Sequence, residues 1–212
     1  MNLSPAQEAI VHGIIKDEAS QSLSACTVQI TDSQGHLVTE NDSFRAGFRC
    51  PGEFTRHLPA GRTIVRVSRG FETQFEQREL DLVPGERQEV SFLLKRNVEL
   101  RRLGWYAGDS HAHMLHGERT VPVSFDFVAL TARAEDLQYL SLAQAWSLSD
   151  PTPERLQAEL QPRSARDCVL TWNLEAPKNY YRGDAGRCLG HCWNVGLRGR
   201  TREGVDVIQT LI

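Results

Sequence analysis

The sequence predicts a multi-domain β plus α/β protein, with a β-sandwich over residues 1–97 and alternating strands and helices over residues 98–212. Three observations carry this expectation. From Val11 to Leu94, short β-prone runs are separated by turn clusters at roughly 8–12-residue spacing, as in a sandwich rather than in βαβ units. The composition changes near residue 100, after a polar stretch, Lys95 to Arg102, that reads as a linker. Beyond it, apolar runs of strand length alternate with segments of helical period.

In the first half the candidate strands are VHGIIKD, CTVQITD, GEFTRHL, TIVRVSR and QEVSFLLK. Thr27-Val28-Gln29-Ile30 and Ile64-Val65-Arg66-Val67 alternate in hydrophobicity, so one face would be buried and the other wet. Ser33-Gln34-Gly35, Pro51-Gly52, Pro59-Ala60-Gly61 and Pro84-Gly85 supply the turns between them. The order of these features resembles the carboxypeptidase-regulatory-like or transthyretin-like sandwich. Its marks here are a glycine in the first strand (Gly13), an Asp-x-x-Gly turn (Asp32 to Gly35), a Gly-x-Phe strand (Gly52 to Phe54) and a Leu-Pro-x-Gly turn (Leu58 to Gly61). They are packing signatures and carry no chemistry. His12, His36 and His57 stand singly and read as structural or surface histidines.

The second half opens with Leu103-Gly104-Trp105-Tyr106-Ala107-Gly108-Asp109-Ser110-His111-Ala112-His113. As a strand, it would put Asp109, His111 and His113 on one face by period-two geometry, with Ser110 and Ala112 on the other. Two imidazoles and a carboxylate on one face suit a divalent ion. The competing reading is a chance His-x-His on a surface strand. Ser124 to Leu137 has helical spacing in Phe127, Leu130, Ala134 and Leu137, and an apolar strand follows to Trp146. Thr152-Pro153-Glu154 reads as a helix start. Cys168 to Leu174 is a further buried strand that delivers Glu175 at its end, and Cys188 to Leu197 is another, containing Gly190-His191.

The segment GWYAGDSHAHM resembles the opening motif of the PHP (polymerase and histidinol phosphatase) superfamily, in particular the CehA/McbA-like metallohydrolases, where it follows an N-terminal sandwich. That resemblance implies the first part of a PHP-type distorted (β/α) barrel and a cluster of divalent ions, Zn, Mn or Fe, held by His, Asp and Glu. It implies His111, His113, Glu175 and His191 as metal ligands and Asp109 as a carboxylate that orients a ligand. The implied reaction is metal-assisted hydrolysis of a phosphoester, ester or amide in a small-molecule substrate, through activation of water. The structural alternatives are a helix-cap or salt-bridge carboxylate for Glu175 and a core histidine for His191. His116 and Glu118 are further candidates whose spacing does not fit the motif.

Two departures stand against a complete site. Where the family carries Thr-Asp-His, this chain reads Leu142-Ala143-Gln144-Ala145-Trp146. About 110 residues form the second domain, roughly half of what a (β/α) barrel needs. A truncated domain is therefore expected, with an exposed barrel edge through which copies could pair into a homo-oligomer. The alternative function is a non-catalytic binding protein with a degenerate or truncated metal site.

Composition narrows the remaining classes. The 212 residues, of 23.9 kDa, are 40% hydrophobic and 24% charged, unlike disordered, collagen-like or coiled-coil chains. Net charge is −3, and residues 1–100 hold 11 basic and 14 acidic side chains against 13 and 13 in residues 101–212, so neither half is a platform for nucleic acid. No uncharged stretch reaches the about 20 apolar residues of a membrane span, and no membrane partner is expected. MNLSPAQEAIVHG lacks the basic and apolar regions of a secretion signal, which reads as cytoplasmic for the chain as written, with an exported parent compatible. Cys26, Cys50, Cys168, Cys188 and Cys192 show no CxxC spacing, and most are read as buried thiols.

Overall fold

The computed structural model describes residues 8–39, 47–113, 123–144, 153–176 and 192–194. Two compact units divide the chain: Met1–Tyr106 with Leu130–Leu137, and Ala107–Ala129 with Gln138–Ile212. The fold is β-rich, with twelve strands in three sheets and two α-helices among the described residues.

The strands of the first unit are β1 (Glu8–Asp17), β2 (Cys26–Thr31), β3 (Leu37–Val38), β4 (Phe48–Cys50), β5 (Glu53–Pro59), β6 (Gly61–Ser68), β7 (Glu76–Leu82) and β8 (Arg87–Leu94). One sheet has the order β5-β1-β8, antiparallel between β1 and β5 and parallel between β1 and β8. The other runs β3-β2-β6-β7, all antiparallel, with β4 pairing on β2. The two sheets share one apolar cluster, in which Val11 and Ile15 of β1 and Phe92 of β8 join Val28 and Ile30 of β2 and Val65 and Val67 of β6. Alternation explains the burial: Thr63, Val65 and Val67 are inside while Arg66 is out. Each such side chain contributes about 1.5–3 kcal/mol when fully buried.

Gly13 and Phe54 are partners across the β1–β5 ladder, and a Cβ on residue 13 would lie 2.1 Å from the Phe54 ring. The ring occupies the space that the missing side chain leaves. Phe54 also meets Phe48 edge to face, at 5.5 Å between centroids and 79° between planes. Asp32 closes the β2–β3 turn by accepting the N–H groups of Gln34 (2.9 Å) and His36 (2.8 Å). His12 is buried against Thr55 (3.2 Å) and Glu53 (3.4 Å), a structural role.

The stretch Lys95 to Arg102 is not a free linker. Arg96 bonds Glu72 (3.0 Å), Asn97 donates its N–H to the Glu72 carbonyl (2.8 Å), and a 3-10 turn spans Leu100–Leu103. Within the same unit, Asp136 is 4% exposed and is met by Arg96 (2.8 Å), Arg69 (3.0 Å) and Arg101 (3.3 Å). Three guanidiniums on one buried carboxylate tie together the end of β6, the end of β8 and the 3-10 turn. Glu135 adds a second tie, to Arg49 at 2.8 Å.

The second unit holds β9 (Gly108–His113), β10 (Tyr139–Gln144), β11 (Val169–Ala176) and β12 (Cys192–Asn194), in the order β12-β11-β10-β9. The first three are parallel and β12 is antiparallel. Helix α1 (Phe125–Ala134) lies between β9 and β10 in sequence, and α2 (Pro153–Leu160) between β10 and β11. Parallel neighbours need such crossovers. Leu140, Leu142, Leu170 and Trp172 share one buried face of this sheet. On α2, Leu156 and Leu160 are buried at i, i+4 spacing, and Gln157 accepts the N–H of Trp172 (3.2 Å). Thr152, expected as the cap of α2, lies outside the described residues.

Candidate metal centre

The start of β9 is fixed by one side chain. Gln138 accepts the Ala107 N–H through Oε1 (2.7 Å) and donates its own backbone N–H to the Ala107 carbonyl (2.8 Å). Gly108 follows, and a Cβ there would lie 3.2 Å from the Tyr139 Cβ and carbonyl oxygen, so the strands approach closely at this rung.

From this anchored start, β9 does not keep a simple alternation. Asp109 opposes Leu140, yet Ala112 opposes Leu142, so three steps along β9 match two along β10. The extra residue is a β-bulge at Ser110-His111. It reverses the phase of the strand. By register His113 falls on the face of Ala143, Ser141 and Tyr139, and Asp109 on the opposite face with Ala112. The single-face expectation for Asp109, His111 and His113 is therefore corrected for Asp109. Its carboxylate instead accepts the backbone N–H of His111 (2.9 Å) and braces the bulge.

The two imidazoles do converge. His111 Nε2 and His113 Nε2 are 3.1 Å apart, with ring centroids at 5.1 Å and planes tilted by 59°. A hydrogen bond between two imidazole nitrogens needs one as acceptor, so at least one Nε2 presents a lone pair. His111 is exposed and His113 half-buried, which leaves the pair reachable from solvent. Imidazole suits Zn, Mn or Fe. The 3.1 Å separation lies within the span of two nitrogens each about 2.0–2.1 Å from one ion. These donors fit a divalent metal.

Glu175 occupies the C-terminal part of β11, and its side chain lies outside the described structure. The ladder Ala143↔Asn173 carries residues 173 and 175 onto the face of His113. His191, His116 and Glu118 lie outside the described residues. Among the described residues, no group of three or more His, Cys, Asp or Glu side chains is placed to hold an ion. The same face carries polar groups that the motif does not include: buried Ser141, and Thr171, whose hydroxyl donates to the Tyr139 hydroxyl at 3.1 Å. The signal for them is the polar residue at every second position of Tyr139-Leu140-Ser141-Leu142, which marks a wet or functional face opposite an apolar one.

No described helix is long and apolar enough to cross a membrane. Comparison with known proteins adds little. No family profile and no curated protein matches the chain. Among solved structures, the chain is similar to a candidate carbohydrate binding protein from Bacteroides uniformis, at 15% identity and a TM-score of 0.26 over 41% of this chain and 40% of that one. The chain thus spans about two fifths of that protein's length, and at this TM-score the likeness fixes neither fold nor function.

Proposed function

We propose that the chain is a metal-dependent hydrolase of the PHP type, CehA/McbA-like, acting on a phosphoester, ester or amide in a small-molecule substrate. Its two sheets around one core would be the transthyretin-like or carboxypeptidase-regulatory-like sandwich, and β9 to β11 with α1 and α2 the first part of the PHP-type barrel. The observation that carries the reading is the 3.1 Å approach of the His111 and His113 Nε2 atoms on the first parallel strand. His111 and His113 would hold the ion, with Glu175 and His191 as further ligands. When bound, a divalent ion supplies Lewis acidity and lowers the pKa of a water near neutral pH. The protein's own part is to hold two imidazoles together through the bulge, with Asp109 fixing the His111 backbone.

A second reading is favoured by one observation. Leu142-Ala143-Gln144 stands where the resemblance leads one to expect Thr-Asp-His, and Leu142 is buried on the apolar face. A domain lacking that histidine would bind metal or a partner without turnover. Elemental analysis of the purified chain, followed by hydrolysis assays on phosphoester and carboxyl-ester substrates, separates the two. Stoichiometric Zn, Mn or Fe that disappears in the His111→Ala, His113→Ala double variant supports a metal centre. Retention of a tightly bound ion by that variant sinks it. Metal without turnover on either substrate class selects the binding protein.

A further inference from the structure

We propose that Cys26 and Cys50 form a reversible oxidation site, closing into a cross-strand disulfide when the protein meets a low-molecular-weight disulfide such as glutathione disulfide. The inference is independent of the metal reading. Cys26 and Cys50 are direct partners in the β2–β4 ladder, and both are buried on the same side, at 0% and 1% exposure. Directly opposed antiparallel residues have Cα atoms about 4.5–5.5 Å apart, inside the roughly 4.4–6.8 Å that disulfides require. Across this rung the two thiols are near enough to act on each other's ionisation.

The two sulfurs are not equivalent. The neighbouring Cys26 thiol and the Gly52 N–H, which Cys50 Sγ accepts (3.4 Å), outweigh burial and hold the Cys50 pKa below the ordinary thiol value. The neighbouring Cys50 thiol and burial push Cys26 up. Cys50 is therefore the attacking thiolate and Cys26 the resolving one. Access comes from the place in the fold. Among the described residues β4, three residues long, pairs with β2 alone, and the Cys26–Cys50 rung is the last of that short ladder. Glutathione disulfide reaches the buried pair through local opening of this short ladder. The Cys50 thiolate attacks one sulfur of glutathione disulfide, breaking its S–S bond and releasing a glutathione thiolate. Cys26, losing its proton, attacks the Cys50 sulfur of the mixed disulfide and releases the second. The two protein protons pass to the two glutathione thiolates, and one disulfide is oxidatively exchanged for another. Excess reduced glutathione reverses both steps.

The test uses the full chain, reduced and then exposed to glutathione disulfide, with thiols counted in denaturant and peptides mapped without reductant. The expected count falls from five to three, with Cys26 and Cys50 in one linked peptide and an unfolding midpoint for the first unit about 5–15 °C higher than in reductant. Cys50→Ser should abolish the loss of thiols. If that variant does not fold, the Cys168→Ser, Cys188→Ser, Cys192→Ser triple variant should still lose its remaining two. A count that stays at five, a bridge between other cysteines, or a lasting glutathione adduct on Cys50 overturns the proposal.

Discussion

A methyl group on residue 13 would have to share space with the ring of Phe54, whose nearest carbon lies 2.1 Å from that position. The ring also packs edge to face on Phe48 and is itself buried, so its freedom to swing away is restricted. Gly13→Ala is expected to cost about 1–3 kcal/mol through overpacking, despite the lower chain entropy of alanine in the unfolded state. Chemical denaturation checks this, and Gly13→Ala combined with Phe54→Leu should recover part of the loss. Asp17 makes a different kind of local statement. Burial pushes its carboxyl up, but the Ser20 N–H and hydroxyl and the Arg69 guanidinium outweigh this and hold it below its ordinary 3.8. A depressed carboxylate adds stability that is fully present above its unfolded value and is lost as pH falls through the folded one. The melting temperature should therefore drop below about pH 4, and Asp17→Asn should flatten that acid limb. An unchanged acid limb in the variant would show that other carboxylates set it.

At the scale of the strand, the bulge in β9 matters more than the motif that contains it. An unbroken strand would have kept Asp109 beside the imidazoles, whereas the extra residue turns it to the other face and onto the His111 N–H. Asparagine can accept that same bond and alanine cannot. Asp109→Asn should keep metal affinity within about threefold, and Asp109→Ala should lose about 10–100-fold, read by competition with a chelating dye. Equal loss in both variants would mean that the carboxylate charge itself acts on the ion. The elements show what a sequence can and cannot announce. Val65, Val67, Val28 and Ile30 alternate openly, and His-x-His is legible as a donor pair. β7, by contrast, reads Glu-Gln-Arg-Glu-Leu-Asp-Leu and buries only Leu80 and Leu82, so its charges hide the strand. β3 and β4 are two and three residues long, too short for any periodicity to register. The bulge is one added residue with no special composition, and only the register against Leu140 and Leu142 exposes it.

For the molecule as a whole, the units are not consecutive stretches of sequence. Asp136 is distant in sequence from Arg69, Arg96 and Arg101, yet belongs to their unit. Removing one partner from a buried ion cluster typically costs about 3–5 kcal/mol, because the remaining charges stay desolvated. Asp136→Ala should weaken the first unit by about that amount in urea unfolding. Residues 1–106 expressed alone should fold as a β-rich domain that chelator does not affect, but with a similarly lowered stability. A fragment as stable as the unit in the full chain would show that the arginines find solvent or other partners readily.

The same cluster sets a schedule for biosynthesis. A ribosome making this chain has completed every strand of the first sheet pair by Leu94, yet the carboxylate that neutralises three of its arginines is translated only at codon 136. At about 5–20 residues per second, roughly 30 codons beyond Tyr106 take about 2–6 s. During that interval Arg96 has Glu72 and Arg69 has Asp17 to offset its charge, and Arg101 waits for the carboxylate that will dock between them. Final closure of the N-terminal unit is thus timed by the synthesis of sequence that follows the His-x-His strand, and a nascent chain stalled before residue 136 should be more open to protease than one stalled after that residue has left the ribosome's exit tunnel.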